Sequence, residues 1–102
     1  MSLQVISEPT RQRILQLVWN RELPASEIAA QFPVTFGAIS QHLGVLRDAG
    51  LVEQRKDGRQ RFYRAKKESM GPLAVYLEQL WGMHLELLKQ AAEKAEHRSQ
   101  HG

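Results

Sequence analysis

Three observations predict a mainly α-helical fold carrying one β-hairpin. Apolar residues recur at spacings of three and four through residues 9–20, 36–49 and 72–95, the period of helices that bury one face. Between residues 51 and 65 that period gives way to two strand-like runs flanking an Asp-Gly step, a strong hairpin signal. Proline and glycine punctuate the joins, at Pro9, Pro24, Pro33, Gly50 and Gly71-Pro72.

Each element has a local reason. Leu3, Val5 and Ile6 need burial, so residues 3–7 are expected to be a short first helix. Pro9 opens the next, because proline has no N–H to leave unpaired in a first turn. Ile14, Leu15, Val18 and Trp19 form its buried stripe, which extends to about Asn20. Leu23-Pro24 breaks the chain, and residues 25–32 form a short helix with Ile28, Ala29 and Phe32 on one face. Pro33 ends it, since the residue before a proline is pushed out of the helical region. Thr35 suits the N-cap of the following helix. Ile39, Leu43 and Leu46 turn inward there, and Gly50 stands where a left-handed residue closes a helix. Residues 51–55 and 61–65 read as strands around the turn 56–60, where Gly58 supplies a positive φ. Leu73, Leu77, Leu80, Trp81, His84, Leu88, Ala91 and Ala95 then mark one stripe over six turns of a last helix.

The chain has 102 residues and no cysteine. That length fits one domain, expected over residues 1–96, with a frayed tail at 97–102. So small a chain buries only about 60–70% of its unfolded surface and often leans on a second copy. The broad apolar surface of the last helix points the same way. Disulfides, thiolate nucleophiles and cysteine metal sites are excluded. No apolar run approaches a membrane span. The first eight residues lack a basic segment and a long apolar one, so no secretory signal and a cytoplasmic location are expected.

The net charge is +3, and its distribution is uneven. Residues 1–46 sum to zero, residues 47–68 to +4 and residues 69–102 to −1. So focused a patch favours a polyanionic partner; the alternative is a solvated face that keeps the protein soluble. Two helices joined by Pro33-Val34-Thr35 have helix-turn-helix spacing, and a basic hairpin directly after them makes a winged helix-turn-helix. The outer face of the second helix carries Phe36, Gly37, Ser40, Gln41 and Arg47. The N-terminal part of such a helix enters the major groove of DNA. Gln41 can pair with adenine, Ser40 with several bases or a phosphate, and Gly37 permits close backbone approach. Taken alone, plain solvent exposure is the better account of Ser40 and Gln41, since most exposed polar residues read no base; the surrounding motif reverses that order.

Ser40-Gln41-His42-Leu43, Leu46-Arg47 and Ala49-Gly50-Leu51-Val52 together resemble the core motif of the ArsR/SmtB family of bacterial winged-helix repressors. Glu8-Pro9-Thr10-Arg11 with Arg13-Ile14-Leu15 is similar to that family's first-helix signature, and Gly58-Arg59 with Tyr63 to its wing. The resemblance spans roughly residues 3–95. It implies a homodimer that joins through its N- and C-terminal helices, binds operator DNA and represses transcription, often of its own gene. Carried over by position, Phe36, Gly37, Ser40, Gln41 and His42 face the major groove, and Arg47 touches the backbone. Lys56, Arg59 and Arg61 of the wing meet the minor groove or phosphates, while Leu3, Leu77, Leu80, Trp81, His84 and Leu88 form the dimer interface. His42 has a second reading, as a hydrogen-bonding residue that holds its helix. Arg11 and Arg13 are divided between ion pairing and phosphate contact.

Many members of the family sense metals. Pro24 and Ser26 stand where the cysteine ligands would be, and neither is a soft ligand. The second family site needs a carboxylate two residues before His84, where Gly82 stands, and ligands where Ala95 and Arg98 stand. No metal and no cofactor is therefore expected, and the chain resembles the members without metal-binding cysteines. Trp81 followed by a leucine-rich stretch is similar to their last helix, as a dimer-core anchor or the lining of a small-molecule cavity. A site built from His84, Glu86, His97 and His101 across subunits is the remaining route to a metal-responsive protein. A protein-interaction module on the same scaffold is the rival of another class. An enzyme is not expected, because no nucleophile–base pair, paired carboxylates or phosphate-binding loop occurs.

Overall fold

The structure is a computed structural model that describes residues 3–82. The chain divides into two compact units, Met1–Met70 and Gly71–Gly102.

The first unit begins with α1 (Leu3–Ser7) and α2 (Pro9–Leu17). Ile6 is buried and Val5 half-buried, whereas Leu3 is 71% exposed. A helix of five residues has too few turns to cover all three. Glu8 caps α2, its Oε2 accepting the Arg11 N–H at 2.9 Å. That helix stops at Leu17 rather than near residue 20. The reason lies across the fold, where the Val18 carbonyl accepts the Ala65 N–H at 3.0 Å. The backbone thus leaves the helix to bond a strand, while Val18 and Trp19 keep their expected burial.

Leu23-Pro24 does more than interrupt the chain. It forms β1, pairing Leu23 with Tyr63 and Pro24 with Phe62. The helix expected over residues 25–32 is shorter, α3 (Ala25–Ala29). Its end tightens through bonds from Gln31 N–H to the Ile28 carbonyl and from Phe32 N–H to the Ala29 carbonyl, both 3.1 Å. Such three-residue bonds satisfy the last carbonyls of a helix. α4 (Phe36–Asp48) follows, then β2 (Val52–Asp57), β3 (Gln60–Ala65) and a 3-10 turn at Lys67–Ser69.

The three strands form an antiparallel sheet in the order β1-β3-β2. The hairpin loop is tighter than expected: Lys56 pairs with Arg61 and Asp57 with Gln60, leaving Gly58-Arg59 as the turn. Gly58 has φ 63 and no described non-glycine residue, Arg59 included, has positive φ, the pattern of a type II′ hairpin turn. α2 and α3 pack on α4, and α3 also meets β3. The core of this unit is Ile14, Leu15, Val18, Trp19, Ile28, Ile39, Leu43, Leu46 and Leu51, all with no exposed surface. Fully burying one such side chain stabilises by about 1.5–3 kcal/mol, so α4 is held chiefly by its inner stripe.

The described part of the second unit is α5 (Pro72–Leu80), which Gly71 precedes at φ 56. The continuous helix expected to residue 95 is interrupted, because α5 ends at Leu80; residues 83–95 of that expectation lie outside the described residues. Gly82 adopts φ 78 and its N–H bonds the Gln79 carbonyl at 3.1 Å, a closure glycine allows without strain. Leu77 is buried, while Val75, Tyr76 and Leu80 are exposed. His84, Leu88 and the tail from residue 97 lie outside the described residues. Among the described residues no helix is long and apolar enough to cross a membrane.

Candidate nucleic-acid interface

α4 is locked at both ends before any ligand arrives. Thr35 Oγ1 accepts the Ala38 N–H at 3.1 Å. At the other end Leu51 N–H bonds the Leu46 carbonyl and Gly50 N–H the Arg47 carbonyl, both at 2.9 Å. With Gly50 at φ 78 this is the paired closure of a Schellman motif. Phe36, Gly37, Ser40, Gln41 and Arg47 are exposed, and His42 is half-buried. The face expected to meet a ligand is therefore open, on a helix that cannot easily shift.

The hairpin supplies charge. Lys56, Arg59 and Arg61 are exposed. Lys56 and Arg61 stand directly opposite each other across the strands. Like charges so placed cost stability, by the same few tenths to about 1 kcal/mol that opposite pairs gain. Nearer the base of the hairpin the pairing is the favourable one, Glu53 opposite Arg64. A local cost confined to the outer strands is what a surface built for an anion carries.

Helix and hairpin meet around one cleft of about 290 Å³, lined by Phe36 and Ser40 of α4, Arg59, Gln60, Arg61 and Tyr63 of the hairpin, and Pro24, Ala25 and Ser26. Four residues expected at the site, Phe36, Ser40, Arg59 and Arg61, thus converge. Gln41, Gly37 and Lys56 are exposed but outside the cleft lining. Ser26 and Gln60 belong to the lining although the sequence reading gave neither a binding role.

Other cations are already engaged. Arg47 donates from Nη1 to Gln54 Oε1 at 3.0 Å, and from Nε and Nη2 to Asp48 Oδ1 at 3.3 Å. Arg55 holds Glu22 through bonds of 3.1, 3.0 and 2.6 Å, and its guanidinium sits 4.6 Å from the Phe62 ring centroid. The hydrogen bond from Arg55 is the main reason the Glu22 carboxyl lies below its ordinary pKa, and the same bond raises that of Arg55. This pair, 33 residues apart, ties the hairpin to the segment before β1. It removes Arg55 from the charge offered to a ligand.

His42 Nδ1 lies 3.8 Å from Glu8 Oε2, and Arg11 Nε lies at the same distance from that oxygen. Partial burial pushes the Glu8 carboxyl up, but the backbone N–H groups of Arg11 and Thr10, then the charges of His42 and Arg11, outweigh it. Its pKa is therefore lowered. The contact fastens α4 to the start of α2. Among the described residues no group of three or more histidine, cysteine, aspartate or glutamate side chains is close enough to hold a metal ion. Glu86, His97 and His101, like His84, lie outside them.

Residues 8–54 match the family model of the bacterial regulatory proteins of the arsR family. The chain is 33% identical to the HTH-type transcriptional regulator Rv2034 of Mycobacterium tuberculosis, over 76% of this chain and 73% of that one. It is 33% identical to the transcriptional repressor SdpR of Bacillus subtilis, over 59% of this chain and 67% of that one. A crystal structure described as a possible transcriptional regulator for arsenical resistance superposes with a TM-score of 0.67 at 43% identity, covering 87% of this chain and 93% of that one. The chain belongs to the arsR family of bacterial regulatory proteins, and it is a DNA-binding transcriptional regulator with a winged helix-turn-helix.

Proposed function

We propose that the protein is a homodimeric, sequence-specific repressor that works without a metal. The observation that carries this reading is the convergence of Phe36 and Ser40 with Arg59 and Arg61 around one cleft. α4 enters the major groove, where Gln41 and Ser40 pair with base edges and exposed Gly37 lets the helix backbone approach. Lys56, Arg59 and Arg61 neutralise flanking phosphates and supply salt-dependent affinity. Arg47 reaches the backbone by exchanging Asp48 or Gln54 for a phosphate. His42, 3.8 Å from Glu8, holds α4 in position.

Leu3 and Leu80, 71% and 52% exposed, support association with a second copy, together with Trp81, His84 and Leu88. Leu77 is already buried in the single chain, so we assign it no direct contact. Two copies place their recognition helices in successive major grooves, about one helical turn apart. Repression is the output we infer, in keeping with the name of SdpR. Cytoplasmic placement and the absence of catalysis belong to the same reading.

The test is fluorescence anisotropy on the DNA upstream of the protein's own gene, against a shuffled duplex, at one salt concentration with and without chelator. Preference for the native duplex, unchanged by chelator, is expected. A response to chelator would contradict metal independence and return attention to His84, Glu86, His97 and His101. Equal binding to both duplexes would remove the claim of autoregulation. A reporter whose expression rises with the protein would overturn repression.

A further inference from the structure

Phe36 is the first residue of α4 and is 56% exposed. Its neighbour Val34 is 49% exposed. An aromatic side chain left half in water gains little from folding. Loose packing does not explain it, because the Thr35 cap and fully buried Ile39 fix the helical turn from which it projects. Gly37 beside it carries no side chain, and a Cβ built there meets nothing within 4 Å. The helix surface next to Phe36 is therefore open. Ser40, Arg59 and Arg61 line the same cleft as Phe36, together with the apolar Pro24, Ala25 and Tyr63, so its apolar surface has donors and cations at its rim.

The two arginines at that rim favour DNA over an apolar protein partner. In the major groove the apolar feature that distinguishes one base pair from another is the C5-methyl group of thymine. Resting on the proposal that α4 enters that groove, we infer that Phe36 is a specificity-determining residue that packs against a thymine methyl. Gln41, five residues further along α4, is suited to pair with an adenine. The operator half-site then has A·T pairs opposite Phe36 and Gln41.

The experiment starts from duplexes that the full-length protein selects from a random pool. Each thymine of the selected half-site is replaced in turn by deoxyuridine, which deletes the methyl and leaves the pairing edges unchanged. The wild-type protein should lose about fourfold in affinity at one thymine per half-site, the worth of one buried methyl group. Phe36→Ala should bind more weakly and fail to distinguish thymine from uracil there. Phe36→Leu should keep part of the discrimination, and it decides the matter if Phe36→Ala binds too weakly to measure.

Specific binding with no sensitivity to uracil at any position would overturn the inference and leave the DNA-binding proposal standing. Discrimination that persists in Phe36→Ala or Phe36→Leu at full strength would also overturn it, by assigning the methyl to another residue. Recovery of no preferred sequence would defeat the underlying reading of α4, and this inference with it.

Discussion

α4 and the β2–β3 hairpin contribute to the same surface and are built on opposite terms. α4 is capped at both ends and buries Ile39, Leu43 and Leu46 without residual exposure. The N-terminal half of its outer face offers Phe36, Ser40 and Gln41, none of them charged, and its one exposed cation, Arg47, is held by Asp48 and Gln54. The hairpin buries Val52, Tyr63 and Ala65 near its base, and its outer half is exposed and cationic, with Lys56 directly opposite Arg61. One element is stabilised by its core, which on the proposed reading leaves its surface for base recognition. The other gives up some of its own stability to present charge. The contrast predicts that substitutions in α4 separate cleanly by face, whereas those of the hairpin's exposed cations change affinity more than folding.

The largest expected effect is on the buried face. Leu43→Ala should lower unfolding free energy by about 2–5 kcal/mol, as for other fully buried leucines. Lys56→Ala should stay within about 0.5 kcal/mol of wild type, or above it if relief of the Lys56–Arg61 repulsion dominates. Urea denaturation of both variants checks this, and comparable losses would break the comparison.

Gly58→Ala comes next. A Cβ at that position meets no atom within 4 Å, so the cost is the left-handed backbone alone, about 1–2 kcal/mol. Thermal unfolding measures it, and a neutral result would mean that the turn relaxes to another type. Thr35→Ala should cost about 1 kcal/mol through loss of the cap, seen as a lower urea midpoint with unchanged slope.

The smallest effect is electrostatic. Glu8 has a pKa below its ordinary value of 4.5 in the folded protein. Its contribution is therefore present above the unfolded pKa and disappears as the pH falls through the lowered folded value. Glu8→Gln should destabilise the protein at neutral pH and flatten the loss of stability below about pH 4.5. Parallel acid-unfolding curves for both proteins would contradict the role given to that carboxylate.

What was legible in the sequence follows the same division. α4 was readable because its cap, stripe and closing Gly50 are all local signals. The hairpin was readable from Asp57-Gly58, although its loop proved to be two residues because Lys56 and Asp57 join the ladder. β1 was not readable, since two residues have no period and their partners, Tyr63 and Phe62, come from a distant strand. The Glu22–Arg55 tie is likewise long-range and leaves no spacing to detect. The end of α5 was marked by Gly82, but the leucines beyond it continued the helical pattern and outweighed that one glycine. At the site, Phe36, Ser40, Arg59 and Arg61 came from the motif, while Ser26 and Gln60 share the cleft because α3 packs against β3, a long-range contact with no local signal.

The central claim is that α4 reads sequence while the hairpin anchors. It is tested most directly by titrating Arg59→Ala and Gln41→Ala against the selected operator and its single-base variants over a series of salt concentrations. Arg59→Ala should weaken binding to every duplex alike and reduce the salt slope by about one. Gln41→Ala should keep the slope and relax specificity at one base pair by about 1–3 kcal/mol. If the two variants gave the same pattern across duplexes and the same slope, the division between reading and anchoring would be wrong.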